Sequence, residues 1–233
     1  MYGITYNNKH SFNDLGLTVL NTRVIETPSK IKITETVPFM NGSYDFSNLY
    51  GSNCYNERKM EYEFLLKANN STELEYKRMQ VDQWLLSSNT KTILIDDNIK
   101  GYYYKAECVS TEFEDINNIG KLKAIFTAYP LRISLTYEGC ALWDDFNFEL
   151  DTLQTTKFNV RGNIDINIYN PSVIDMSPSI IASNDFEVSL DGKKYNVSAG
   201  VSKDYRFKLK QGNNRLIVKG NGTIEFKFRK EVL

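Results

Sequence analysis

Alternation of apolar and polar positions with a period of two runs through much of the chain. Met60, Tyr62, Phe64 and Leu66 alternate with Glu61 and Glu63, and Leu122, Ala124, Phe126 and Ala128 alternate with Lys121, Lys123 and Thr127. Successive side chains of a strand point to opposite faces, so each stretch predicts a strand with one buried face. Ile31, Ile33, Glu35 and Val37 against Lys30, Lys32, Thr34 and Thr36 repeat the pattern with one lapse and predict another such strand. Strand character resumes at Thr92-Ile93-Leu94-Ile95 and again from Gly101 to Ala106. Turn dipeptides punctuate these runs at Asn41-Gly42, Asp191-Gly192 and Asn221-Gly222, because Asn and Gly tolerate the positive φ that tight hairpins require. Phe186, Val188 and Leu190 with Tyr195 and Val197 predict a hairpin about Asp191-Gly192. Residues 215–219 and 223–228 predict a second one about Gly220-Asn221-Gly222.

One stretch has a helical period instead. Thr72 with Glu75 three residues on is a capping-box pattern, in which each side chain satisfies a free backbone N–H. Leu74, Val81, Trp84 and Leu85 then fall on one helical face, with charged residues on the remainder, and Ser87-Ser88-Asn89 ends the segment. The expectation is a helix lying across a sheet.

With 233 residues, one large or two small domains fit, and a boundary is expected near Pro130. Residues 1–132 carry 15 basic and 16 acidic groups and 133–233 carry 13 of each, so the halves balance separately. The second half reads as all-β, with short strands and regular turn signals, and a sandwich of about 100 residues is its natural closure. Inside it the charge is uneven: 133–192 hold 2 basic and 10 acidic groups, and 193–233 hold 11 and 3. In strands, Tyr205-Arg206-Phe207-Lys208-Leu209-Lys210 and Phe226-Lys227-Phe228-Arg229 put aromatics inside and cations outside. Two readings stand: a solvated outer face, in part paired within the domain, or a basic face that docks an acidic partner or anionic polymer through Arg206, Lys208, Lys210, Lys227 and Arg229.

The same counts close off chemistry. The formal charge of −1 argues against a general nucleic-acid binder or a polybasic membrane adapter. No run approaches a membrane span, and Met1-Tyr2-Gly3-Ile4-Thr5 has no secretion-signal pattern, so synthesis in a cytosol is expected. His10 is the single histidine, which leaves Ser–His or Cys–His catalysis and multi-histidine zinc sites nearly closed. Cys54, Cys108 and Cys140 are odd in number and far apart, as reduced thiols would be. Asp144, Asp145, Glu149 and Asp151 cluster, but one acidic cluster among 29 acids does not specify a paired-carboxylate site. Neither a phosphate-binding loop nor an EF-hand loop occurs, so no enzyme activity, cofactor or metal is expected.

Tyr44, Phe46, Tyr50 and Tyr55 fall within the polar Ser/Asn/Gly stretch 41–56. Such a loop exposes its aromatics unless something covers them, and the cover is either the same domain or a neighbouring subunit.

The order of features in 11–134 resembles the distal tail proteins of long-tailed phages that infect Gram-positive bacteria. Ser11-Phe12-Asn13-Asp14-Leu15-Gly16-Leu17 comes first, then the 30–37 strand and the phrase Asn41-Gly42-Ser43-Tyr44-Asp45, close to the family's Gly-x-Tyr-Asp. Arg58 and its strand, the helix, Leu94-Ile95-Asp96-Asp97 and Tyr102-Tyr103-Tyr104-Lys105-Ala106 follow in order. Where the family ends this half in Asp-Pro-Phe, Ala128-Tyr129-Pro130-Leu131 stands here. Asn170-Pro171 and the turns at Gly192, Gly212 and Gly222 resemble, more loosely, the family's galectin-like sandwich.

The resemblance implies a mainly β fold. Residues 1–132 would be an N-terminal, ring-forming β-sandwich or split-barrel-like domain with one helix and an extended arm at about 39–55. Residues 133–233 would be a galectin-like β-sandwich. It implies a homohexameric hub at a phage or prophage tail tip, joining the tail tube protein to a tail-associated fibre or lysin and a receptor-binding protein. A central channel would pass DNA without sequence-specific contacts or membrane insertion. The hub would assemble in the bacterial cytoplasm and end in the virion. Asn41, Gly42, Tyr44, Asp45, Phe46, Tyr50 and Tyr55 are the candidate subunit contacts. The alternative is a carbohydrate-binding β-sandwich module used in host-surface adhesion. The second half has no histidine and only Trp143 among its tryptophans, so galectin-type sugar binding is not expected of it.

Overall fold

The computed structural model describes residues 2–47, 49, 53–116, 119–140 and 152–233. Asp144, Asp145, Glu149, Asp151, Trp143 and Tyr50 lie outside the described residues. The chain divides into two compact units, one of residues 1–32, 54–132 and 233, the other of 33–53 and 133–232.

In chain order the strands up to residue 134 are β1 (Ile4–Tyr6), β2 (Lys9–His10), β3 (Thr18–Val19), β4 (Val24–Ile25), β5 (Thr34–Glu35), β6 (Tyr44–Asp45), β7 (Arg58–Lys67), β8 (Thr92–Asp96), β9 (Tyr102–Ile116), β10 (Ile119–Ala128) and β11 (Arg132–Ser134), with helix α1 (Ser71–Leu86) between β7 and β8. The first unit is an antiparallel sheet ordered β2-β1-β8-β9-β10-β7-β3, with β4 also on β7. The alternation read at 60–66 and 122–128 is the inner face: Met60, Tyr62, Phe64, Leu66, Leu122, Ala124, Phe126 and Ala128 are buried. Helix α1 lays Leu74, Val81, Trp84 and Leu85 on that core. Trp84 packs edge-on against Tyr6 and Phe64, and its indole N–H donates to the Tyr6 carbonyl at 2.7 Å, so the ring satisfies its polar edge inside the core.

Helix α1 starts earlier than the Thr72–Glu75 pattern predicts. Asn70 is the N-cap, its side-chain oxygen accepting from the Glu73 N–H at 2.8 Å. Glu73 in turn accepts from the Asn69 N–H at 2.9 Å. Asn and Ser both cap well, and in Asn69-Asn70-Ser71-Thr72 the residue with a Glu three places on that can close back on the chain takes the role.

The predicted strand at 30–37 is corrected more deeply. Only Thr34–Glu35 is strand, paired with Tyr44–Asp45 alone, and residues 31–39 are all exposed. A period of two encodes an extended backbone; it does not supply the second layer that would bury one face.

The second unit adds β12 (Lys157–Asn170), β13 (Ser179–Ala182), β14 (Phe186–Leu190), β15 (Lys193–Val197), β16 (Gly200–Ser202), β17 (Gly212–Lys227) and β18 (Glu231–Val232). Strand β17 pairs along its length with β12; on its other edge residues 216–220 pair with β14 and 224–227 with β13. Outside these lie β15 on β14 and β16 on β13, and β18 pairs β11. Val160, Ile168, Phe186, Val188, Leu216, Val218, Ile224, Phe226 and Phe207 share one core, so the forked sheet bends into a β-sandwich.

The fork is where a hairpin was predicted. Gly220-Asn221-Gly222 is no turn: the strand runs straight through it. Gly220 has φ +148°, and a Cβ there would come within 2.5 Å of the Phe186 ring; Gly222 has φ +133°, and a Cβ would meet the Ser183 hydroxyl at 2.3 Å. The glycines permit close approach at the fork, the other reason for Gly inside a strand. The Asp191-Gly192 hairpin does form, with φ of +51° and +76° at its two turn residues and Leu190 facing Lys193.

Candidate functional site: an exposed arm and a basic face

Residues 29–56 form the arm. At its base Ile31 N–H donates to the Cys54 carbonyl at 2.9 Å, Asn56 N–H to the Ser29 carbonyl at 2.8 Å, and Lys30 faces Tyr55. Further out, Phe46 N–H donates to the Ile33 carbonyl at 2.8 Å, and the Ser47 hydroxyl accepts from Ile33 N–H at 2.9 Å. Asp45 accepts from Ser47 N–H at 2.9 Å, which fixes the return strand locally. Two strands of two residues cannot bury a core of their own.

The arm's apolar side chains are accordingly open: Ile33, Val37, Phe39, Tyr44, Phe46 and Leu49 are 41–110% exposed. Tyr44 on β6 and Phe46 just past its end place their rings 6.2 Å apart. Phe39 is held at φ +67°, a conformation that costs a bulky side chain on the order of 1 kcal/mol or more. Of the predicted contact residues, Asn41, Gly42, Tyr44, Asp45 and Phe46 are together on the exposed arm, while Tyr55 is half-buried at its base. Phe39 and Leu49 are exposed beside them; the apolar run Val37-Pro38-Phe39-Met40, where a hairpin tip should be polar, is the signal in the sequence for the first.

The predicted basic residues are mostly occupied within their own unit. Arg206 grips Asp204 with its guanidinium fork at 2.9 and 3.1 Å, which also holds that carboxyl below its usual range. Lys210 pairs with Asp191 at 2.6 Å. Lys227 and Arg229 lie 4.4 and 4.0 Å from the centroid of the Tyr137 ring, and Arg229 donates to the Ser134 carbonyl at 2.9 Å and to that of Leu135. Lys208 is exposed and makes no ion pair among the described residues.

Among the described residues no group of three or more His, Cys, Asp or Glu could hold a metal ion, and no helix is long and apolar enough to cross a membrane. The imidazole of His10 is used locally: Nδ1 accepts the N–H groups of Phe12 and Asn13 at 3.1 and 3.0 Å, and Nε2 meets Asp97 at 3.1 Å.

Residues 10–127, half of the chain, match the phage tail protein RIFT-related domain family. The chain belongs to that family. This phage tail protein also shares its fold, over 100% of both chains, with the Dit protein (gp 19.1) of phage SPP1, at a TM-score of 0.70 and 14% identity. That structure is described as a paradigm of the hub adsorption apparatus of phages infecting Gram-positive bacteria. A chain of the activated baseplate of phage p2 matches at a TM-score of 0.42 and 11% identity over 98% of this chain and 97% of that one. No curated protein matches in sequence. The mainly β fold expected from the sequence is the fold of a distal tail protein, and the family is one of virion structural proteins.

Proposed function

We propose that this tail protein is the distal hub of a phage or prophage tail. Six copies close into a ring, each seating its arm on the next, around a channel that passes DNA. One face continues the tail tube; the other carries the tail-associated fibre or lysin and the receptor-binding protein. Residues 1–132 with the arm build the ring, residues 133–233 dock partners outside it, and assembly takes place in the host cytoplasm. A contact between two different surfaces of one subunit, repeated by a rotation that closes, generates such a ring.

The observation that carries the reading is the arm. Its side chains are exposed on the single chain, and burying each large one against a neighbour contributes about 2 kcal/mol. The full-length fold shared with the SPP1 hub protein points the same way. The chain's formal charge of −1 suits a channel that must not grip phosphates.

Native mass spectrometry tests it. The wild-type chain is expected as a hexamer, and the quadruple variant F39S/Y44S/F46S/L49S as a monomer with an unchanged circular dichroism spectrum. A wild-type chain that stays monomeric at high concentration, or a variant that assembles as before, overturns the reading.

A further inference from the structure

Several cations of the second unit are paired within it, and Lys193, unpaired among the described residues, lines a cleft. Arg215 pairs with Asp165, Lys210 with Asp191 and Arg206 with Asp204. Lys194 and Lys219 share one carboxylate, Glu187, at 3.2 and 3.7 Å, which leaves one positive charge in excess. Lys193, beside Lys194, makes no ion pair among the described residues. Both lysines line a cleft of about 670 Å³ whose other walls are Tyr195, Asn196, Asp204 and Arg206.

The lining is selective in its chemistry. It offers ammonium donors from Lys193 and Lys194, an amide from Asn196 that both donates and accepts, and carboxylate oxygens from Asp204 whose charge Arg206 already balances. Tyr195 gives the cleft one aromatic wall and is locked by donating its hydroxyl to the Arg206 carbonyl at 3.1 Å and packing edge-on against Phe207. The lining includes no aliphatic side chain. A protein partner needs an apolar centre to its footprint, and a volume in the range of about 300–1,000 Å³ is that of a small-molecule site. An excess of positive charge combined with donors and acceptors for hydroxyls calls for a ligand that is both anionic and hydroxylated.

We propose that this cleft binds one unit of an anionic glycan, a sugar carrying a phosphate or a carboxylate, with Lys193 and Lys194 on the anion and Asn196 and Asp204 on the hydroxyls. It lies at the β14–β15 hairpin and the 204–206 turn and reads charge, unlike the histidine- and tryptophan-containing galectin type already set aside. It is independent of the ring: a monomer has the whole site.

Isothermal titration calorimetry of the full chain with glucose 6-phosphate, galacturonate, glucose, inorganic phosphate and an octa-glutamate peptide decides it. At least one of the two sugar acids is expected to bind about tenfold or more tighter than glucose, phosphate and the peptide. The binding weakens as salt rises and falls about tenfold in K193Q/K194Q, whose exposed lysines leave folding intact. Binding of glucose as tight as that of the anions overturns the charge reading. Equal binding of phosphate or of the peptide overturns the sugar reading, the peptide result making the face a protein-docking one. No binding at all, or no effect of the double variant, overturns the site.

Discussion

Asp96 is fully buried in the first unit, and four groups converge on it. Arg23 reaches one carboxylate oxygen at 2.6 Å, the Tyr62 hydroxyl donates to the same oxygen at 2.9 Å and that of Tyr2 at 3.3 Å, while the other oxygen accepts from Asn98 N–H at 2.9 Å. Burial and then the neighbouring carboxylate push both phenols up, Tyr2 to about 12 and Tyr62 further, and burial, with a smaller push from the charge of Asp82, raises the Cys108 thiol to about 12. In the unfolded chain tyrosine ionises near pH 10 and cysteine between about 8 and 9. Above those values the unfolded state has lost protons that the folded state keeps, so stability falls as pH rises. The urea midpoint is expected to begin falling near pH 9, as Cys108 comes into play, and to steepen from about pH 10 towards 12. Tyr62→Phe costs about 1 kcal/mol at pH 8 but flattens the alkaline limb. A wild-type midpoint constant to pH 11 contradicts the assignment. None of this cluster was legible in the sequence: Leu94-Ile95-Asp96-Asp97 reads as a strand end, and only the fold brings Tyr2 and Tyr62 to it.

At the scale of the element, legibility depended on whether a local rule had one cause or two. Asp191-Gly192 was read correctly because a two-residue hairpin is the one thing that demands positive φ at both positions between alternating strands. Gly220-Asn221-Gly222 carries the same letters for another reason, the crowding of Phe186 and Ser183 at the fork, which no local pattern reports. The helix was read on the right face but from the wrong cap, since four consecutive residues, 69–72, are all good N-cap types. The structure separates them: Asn70→Ala is expected to cost about 1 kcal/mol, whereas Thr72→Ala, already inside the first turn and exposed, is expected to be neutral or to stabilise by a few tenths. Chemical denaturation of the two variants side by side checks this, and a larger loss at Thr72 would return the cap to the sequence-based position.

For the whole molecule the question is what would hold copies together in the proposed ring, and its two surfaces would answer differently to salt. The outer part of the arm, residues 36–53, carries a single charge, Asp45, among large exposed apolar groups, while Lys30, Lys32 and Glu35 lie nearer its base. The sequence could not show that these groups stay uncovered, because the pattern that makes a chain extended is the same whether its second layer comes from its own domain or from another subunit. Several basic residues of 193–233, one of the two docking signals in the sequence, are paired with carboxylates within their own unit, as Arg206 with Asp204, Lys210 with Asp191 and Arg215 with Asp165 are. Such exposed pairs contribute little and are screened by salt, whereas apolar burial is not. If the arm joins the copies, raising sodium chloride about tenfold from a dilute buffer leaves the assembled mass unchanged in sedimentation. The same change weakens any ligand held by Lys193 and Lys194. If the assembly itself dissociates in salt, the cations and not the arm make the contact, and the ring must be rebuilt around the basic face.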